Sequence, residues 1–146
     1  MAVDVQVETE ILRPVDVVAA YAGDPGNAPE WYANIRSVEW RTEPPVRVGS
    51  QMDFVAHFLG RRIAYTYEVT DLVPGERLVM ETAQGPFPMR TTYTWRPTAN
   101  GTHKTLRNAG EPSGFAKVTA PVMELAMRRA TTKDLARLKS LLEGRP

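Results

Sequence analysis

Apolar side chains recur at every second position through most of this chain, and the period changes only toward its end. Val3, Val5, Val7, Thr9 and Ile11 alternate with Asp4, Gln6, Glu8 and Glu10, the pattern of a strand with one buried face. Pro14 stands where a proline tolerates a helix start, and Val15, Val18, Ala19 and Ala22 give a short apolar stripe ending at Gly23. Asp24-Pro25-Gly26-Asn27-Ala28-Pro29 is turn chemistry and delivers Trp31-Tyr32 on a short helical turn. Val38 and Trp40 alternate in a second strand. Met52, Phe54, Ala56 and Phe58 share one side of a third, and Leu59-Gly60-Arg61-Arg62 reverses it into Ile63, Tyr65, Tyr67 and Val69. Pro74-Gly75 fits a type II turn before Leu78, Met80 and Thr82. Gly85-Pro86-Phe87-Pro88 precedes the Met89 to Trp95 strand, and Asn100-Gly101 predicts a two-residue hairpin turn into a last strand with Leu106 and Asn108. Strands joined by turns alone pair antiparallel, so an α+β chain with a sheet of about seven strands is expected.

From Phe115 to Leu142 the pattern becomes helical, with Ser113 as N-cap. At about 100° per residue, Ala120, Met123, Met127, Ala130, Asp134, Leu138 and Leu141 fall on one stripe, and Lys117, Glu124 and Arg128 fall off it. Pro121 either kinks the helix or lies in its first turn. Ala120, Ala126, Ala130 and Thr131 stand where a close-packed lid carries Leu or Phe. Small residues there predict a hollow between helix and sheet.

A length of 146 residues fits a single domain over 1–146. Hydrophobic residues make up 42% and charged residues 24%, as in an ordinary globule, and a net charge of +1 without charged runs argues against nucleic acid as partner. The absence of cysteine excludes disulfides and thiol catalysis, and two histidines, His57 and His103, are too few and too far apart to suggest a metal cluster. Gly60, Gly75 and Gly101 are turn residues and no phosphate-loop pattern occurs, so no cofactor is expected. The opening residues lack the basic and apolar regions of a signal peptide, and no stretch approaches the roughly 20 apolar residues of a membrane span. A cytoplasmic protein is expected, with homodimerisation left open.

A strand, two short helices, about six more antiparallel strands and a long C-terminal helix is the order of the helix-grip fold, in which the sheet curls around that helix. Specific segments carry a further likeness. Arg13-Pro14-Val15-Asp16-Val17-Val18, Asp24-Pro25 with Pro29-Glu30-Trp31, Val48-Gly49-Ser50, Val73-Pro74-Gly75-Glu76-Arg77-Leu78, Tyr93-Thr94-Trp95 and Asn100-Gly101-Thr102 span nearly the whole chain. In these the chain resembles the polyketide cyclase/dehydrase and lipid-transport group of the START-like (SRPBCC) superfamily, which also includes pollen-allergen-like plant proteins. The resemblance implies a pocket for an apolar or aromatic small molecule. It supplies no shared catalytic residue, because the family includes aromatase/cyclases, carriers and co-chaperones.

The alternation turns Phe54, Tyr65, Tyr67, Tyr93 and Trp95 toward the helix, either as core residues bonded to backbone or as walls of a ligand site whose phenols hold a carbonyl. Met80, Met89, Met123 and Met127 suit an adaptable lining, as does Met52, with core filling the plain alternative. Trp31-Tyr32 is placed at one lip of the mouth, with Gly85 to Pro88 and the loop before Phe115 at the other; alternatively, Trp31 plugs the end of the sheet. Asn108 stands out as a polar residue on the apolar side of its strand. Asp134, on the inner helix stripe, either acts as an acid or base, or forms a structural ion pair with an arginine or sits near the helix edge. Glu68, Arg90, Thr92 and Arg107 face outward. Three functions follow: carrier or sensor of a hydrophobic or aromatic, lipid- or polyketide-like molecule; cyclase, aromatase or dehydratase in the same cavity; or co-chaperone-like interaction module. A cyclase requires an acid/base group of perturbed pKa inside the pocket, a carrier an almost wholly apolar lining, and an interaction module a collapsed pocket.

Overall fold

Each alternating run forms a strand. The structure, a computed structural model, describes residues 2–115 and 118–145. Strand β1 (Val3–Ile11) leads into helix α1 (Val15–Ala22), a turn of 3-10 helix (Pro25–Asn27) and helix α2 (Ala28–Trp31). Strands β2 (Ile35–Trp40), β3 (Gln51–Phe58), β4 (Arg61–Val73), β5 (Arg77–Gln84), β6 (Met89–Pro97) and β7 (Thr102–Gly110) precede helix α3 (Ala120–Glu143). All neighbours are antiparallel, in the order β1-β7-β6-β5-β4-β3-β2. This is the helix-grip architecture, a curled seven-stranded sheet with a long C-terminal helix.

One face of the sheet is apolar: Val5, Ile11, Met52, Val69, Leu78 and Leu106 are buried there. Arginine and acid pairs on neighbouring strands, Arg107 with Asp4 and Arg90 with Glu81, occupy the other. Helix α3 starts at Ala120 rather than Phe115. Gly114 has a positive φ of 83°, Thr119 is extended, and Pro121 lies in the first turn, where its missing N–H leaves no bond unmade. Ser113 is therefore no N-cap, and Lys117 lies outside the described residues. The buried stripe runs through Met127, Thr131, Asp134, Leu135, Leu138 and Leu142; steps of four residues bring Leu142, not Leu141, to the core. Asn100-Gly101 does not form a two-residue turn either. Pro97 pairs with Thr102 across a four-residue loop, 98–101. Glycine is needed at 101 because a Cβ there would lie 2.2 Å from the Ile11 carbonyl oxygen.

As an edge strand, β1 presents the backbone groups of its even-numbered residues outward, unpaired by any strand. Side chains of α3 bond them. Glu124 accepts from the Asp4 amide (3.1 Å), Arg128 donates to the Gln6 carbonyl (2.9 Å) and Lys139 to the Glu10 carbonyl (2.7 Å). Beyond the strand, Glu143 accepts from the Leu12 amide and Arg13 donates to the Leu142 carbonyl. The helix consequently packs along β1 and against α2 instead of over the middle of the sheet.

Leu138 is fully buried where α3 meets the core. Leu138→Ala is expected to lower stability by about 2–5 kcal/mol, whereas Arg128→Ala, which removes one exposed bond, lowers it by about 1 kcal/mol. Urea unfolding of the two variants measures the difference.

Candidate functional site

Between α3 and strands β3 to β7 lies a cavity of about 160 Å³. Its walls are aromatic and thioether: Phe54, Tyr65, Tyr67 and Tyr93 from the sheet, Met80 and Met89 beside them, and Met123 and Met127 from α3. Ala130 and Thr131 contribute the small surfaces that leave the space open. Phe54 and Tyr65 stack at 5.3 Å, and Tyr67 meets both edge-on. At the mouth, Phe115 packs against Phe58 and Phe87. The Arg61 guanidinium lies over Phe87 and Phe115 and donates to the Ser113 carbonyl, tying the β3–β4 turn to the two loops opposite.

Polar groups enter this lining in two sets. The Tyr32 and Tyr93 hydroxyls are 2.6 Å apart, so one donates to the other and a single O–H is left for a guest. Tyr67 and Thr91 share a bond of 2.7 Å, and Thr91 donates to Asn108 at 2.7 Å. Since a hydroxyl has one proton, Tyr67 donates to Thr91, and the Asn108 amide retains its N–H donors. Burial pushes the Tyr67 phenol up to about 12 and raises those of Tyr32, Tyr65 and Tyr93, so all four remain protonated near neutral pH.

Asp134 faces the same space and is 3% exposed. Its carboxylate accepts from the Ala33 amide at 3.0 Å, with no arginine or lysine at ion-pair distance among the described residues, so the expected structural ion pair is absent. Burial raises the carboxyl to about 6, partly opposed by the Ala33 N–H. A single group thereby exchanges a proton near neutrality within an apolar enclosure.

The structure gathers Tyr32, Phe54, Tyr65, Tyr67, Met80, Met89, Tyr93, Asn108, Phe115, Met123 and Met127 around the cavity and leaves out Trp31 and Trp95. Trp31 is wholly buried, its ring 4.1 Å from that of Tyr32 and tilted 31° to it, and fills the end of the sheet rather than forming a lip. Trp95 lies one inward step beyond Tyr93, and its other side borders a separate groove beside α1. Both tryptophans surround a residue that the sequence reading passed over. Lys104 lies on the inward face of β7, so Asn108 is not the only strongly polar side chain there. Its Nζ is 3.9 Å from the Tyr93 ring centre, 4.5 Å from Trp95 and 5.8 Å from Trp31. The residue is fully buried, and Nζ has no hydrogen-bond partner. Ring contacts supply about 0.5–2 kcal/mol each to a cation, against several kcal/mol for taking the ammonium out of water. Desolvation wins, and burial holds the amine well below the ordinary lysine value.

A family model described as polyketide cyclase / dehydrase and lipid transport matches residues 2–143. No curated protein matches the chain in sequence. Among solved structures, a START superfamily protein from Mycobacterium smegmatis superposes with a TM-score of 0.82 at 14% identity, covering 97% of both chains. The Zhui aromatase/cyclase from Streptomyces sp. R1128 gives 0.79 at 16% identity, over 98% of this chain and 94% of its own. Major latex-like protein 151 from Panax ginseng gives 0.74 at 14% identity, over 96% and 97%. At such identities the likeness is one of fold. No helix among the described residues is long and apolar enough to cross a membrane.

The Asp134 carboxyl has a definite thermodynamic signature. Between its unfolded value of 3.8 and its folded value of about 6, the native state holds a proton that the unfolded chain has released, so stability falls as pH rises through this window. Asp134→Asn removes that fall. Urea unfolding of both proteins at pH 4 and pH 7 measures it, and parallel pH profiles would refute the assignment.

Proposed function

The chain belongs to the polyketide cyclase/dehydrase and lipid-transport family, and on that premise we propose that it binds a small aromatic or polyketide-like molecule in the cavity, as a carrier or sensor. The observation that carries this reading is an aromatic and thioether lining interrupted by two hydrogen-bonded polar sets. A long acyl chain would leave the spare tyrosine O–H and the Asn108 N–H donors without partners, whereas a ring bearing a carbonyl or hydroxyl engages them. Size narrows the class. A cavity of about 160 Å³ is close to the roughly 150 Å³ of an engineered apolar cavity that takes up benzene, so a single ring fits without rearrangement. Larger fused-ring guests require the methionines to repack, which thioethers do readily.

A second reading, acid–base chemistry of the cyclase, aromatase or dehydratase kind, is favoured by Asp134. Its carboxyl is poised to give or take a proton near neutral pH, inside the space where the guest would lie. A wholly apolar lining would have favoured pure transport.

Titration calorimetry with acetophenone and toluene tests the binding reading. The double variant Tyr32→Phe/Tyr93→Phe is expected to bind acetophenone about fivefold more weakly, the effect of one lost hydrogen bond, with toluene unchanged. Failure of the wild-type protein to bind either compound would overturn the reading. For the second, turnover of a poly-β-ketone thioester should follow an ionisation near pH 6 and disappear in Asp134→Asn; activity surviving that substitution would remove Asp134 from the chemistry.

A further inference from the structure

Lys104 is the one lysine buried among the described residues, and it lies a single ring away from the cavity. Along β6, Met89, Thr91 and Tyr93 line the cavity in order from the mouth inward, so Tyr93 marks its deep end. The same ring receives the Lys104 amine on its face. Nothing else holds that amine: Nζ donates to no acceptor, and the Nε1 groups of the flanking Trp31 and Trp95 are also without partners. A structural lysine in a core would be paired with a carboxylate or backbone carbonyl, because an unmatched buried amine weakens the fold. Retained without a partner in an aromatic box, it has the properties of a reagent.

We propose that Lys104 is a latent amine nucleophile that forms an imine with an aromatic aldehyde or ketone admitted to the cavity, the Tyr93 ring acting as the shutter between them. The proposal rests on the cavity being a site for ring-sized carbonyl compounds. In the first step the Nζ lone pair attacks the carbonyl carbon, a C–N bond forms, and the carbonyl oxygen takes up a proton to give a carbinolamine. The C–O bond then breaks, water departs, and nitrogen loses its remaining proton as C=N forms. The net change is R–CHO plus Lys–NH2 to R–CH=N–Lys plus water, with no oxidant or reductant. Attack requires the uncharged amine, which desolvation favours here. Protons can pass through the Tyr32 hydroxyl, freed when Tyr93 turns, or through Asp134, both of which line the same space. Opening the shutter requires that Tyr93 release its bond to Tyr32 and turn against the flanking Trp31 and Trp95 rings.

The full chain is incubated with benzaldehyde and cyanoborohydride at pH 6.5 and examined by intact-mass and peptide mass spectrometry. Reduction fixes the imine as an added mass equal to the aldehyde less one oxygen. The sequence has four lysines, at 104, 117, 133 and 139, and the peptide maps separate addition at each of these from addition at the N-terminal amine. Addition at Lys104 is expected to exceed that at Lys133 and Lys139 at least tenfold, to vanish in Lys104→Met, and to speed up several-fold in Tyr93→Leu. Lys104→Met replaces an unpartnered amine by an apolar side chain of similar length and is expected to fold at least as stably. Benzyl alcohol, which has no carbonyl, should bind by calorimetry and slow the addition. If it binds and Lys104 stays unmodified, the imine proposal falls while the cavity reading stands. If it fails to bind and Lys104 stays unmodified, both fall. Modification of Lys104 that benzyl alcohol does not slow would overturn the route through the cavity.

Discussion

The placement of α3 along the free edge of β1 governs the rest of this structure. An edge strand offers a row of unpaired N–H and C=O groups, and here Glu124, Arg128 and Lys139 supply partners from the helix. These bonds, together with the buried Leu135, Leu138 and Leu142, hold the helix in place. Held beside β1 and α2, it cannot also descend onto the centre of a curled sheet, and its small residues Ala130 and Thr131 face a gap that they cannot fill. The cavity is therefore a product of where the helix is anchored and of what that helix lacks. Its lower half, from Leu135 to Leu142, packs tightly, and the Met123 to Asp134 portion stands over open space.

Chemistry within the gap follows from the same low-polarity setting. Burial keeps the four phenols protonated, lifts the Asp134 carboxyl toward neutrality and lowers the Lys104 amine, all for one reason: a charge there would lose its water. The effect on acids and bases is opposite in sign. Both the carboxyl and the amine are brought toward their uncharged forms. Arg61 lies over Phe87 and Phe115 at the entrance and adds a cation to its apolar rim.

The sequence was informative about sides and much less so about depth. A one-sided sheet writes its buried face as a period of two, so Phe54, Tyr65, Tyr67, Met80, Met89 and Tyr93 point inward as their spacing predicts. The same period cannot say how far along a strand a residue lies, and Trp95, with the parity of Tyr93, falls past the end of the cavity. Lys104 has the parity of Leu106 and Asn108, and that signal was present. Lysine is so seldom found in cores that residue type outweighs position in such a reading. Asn34 and Ile35 line the cavity from where the chain enters β2, a stretch with no periodicity to reveal it. The start of α3 was misplaced because Phe115 extends an apolar pattern that Gly114, the extended Thr119 and Pro121 interrupt in the backbone.

One consequence attaches to the thioethers. Met80, Met89, Met123 and Met127 form much of the wall, in a chain without a single cysteine. Sulfur chemistry in this protein is thus confined to methionine. Oxidation to the sulfoxide would place a strongly polar S=O group on a surface adapted to hydrocarbon, stiffening and wetting it together. The interior that gives the cavity its adaptability is also where oxidative damage would first change what it admits.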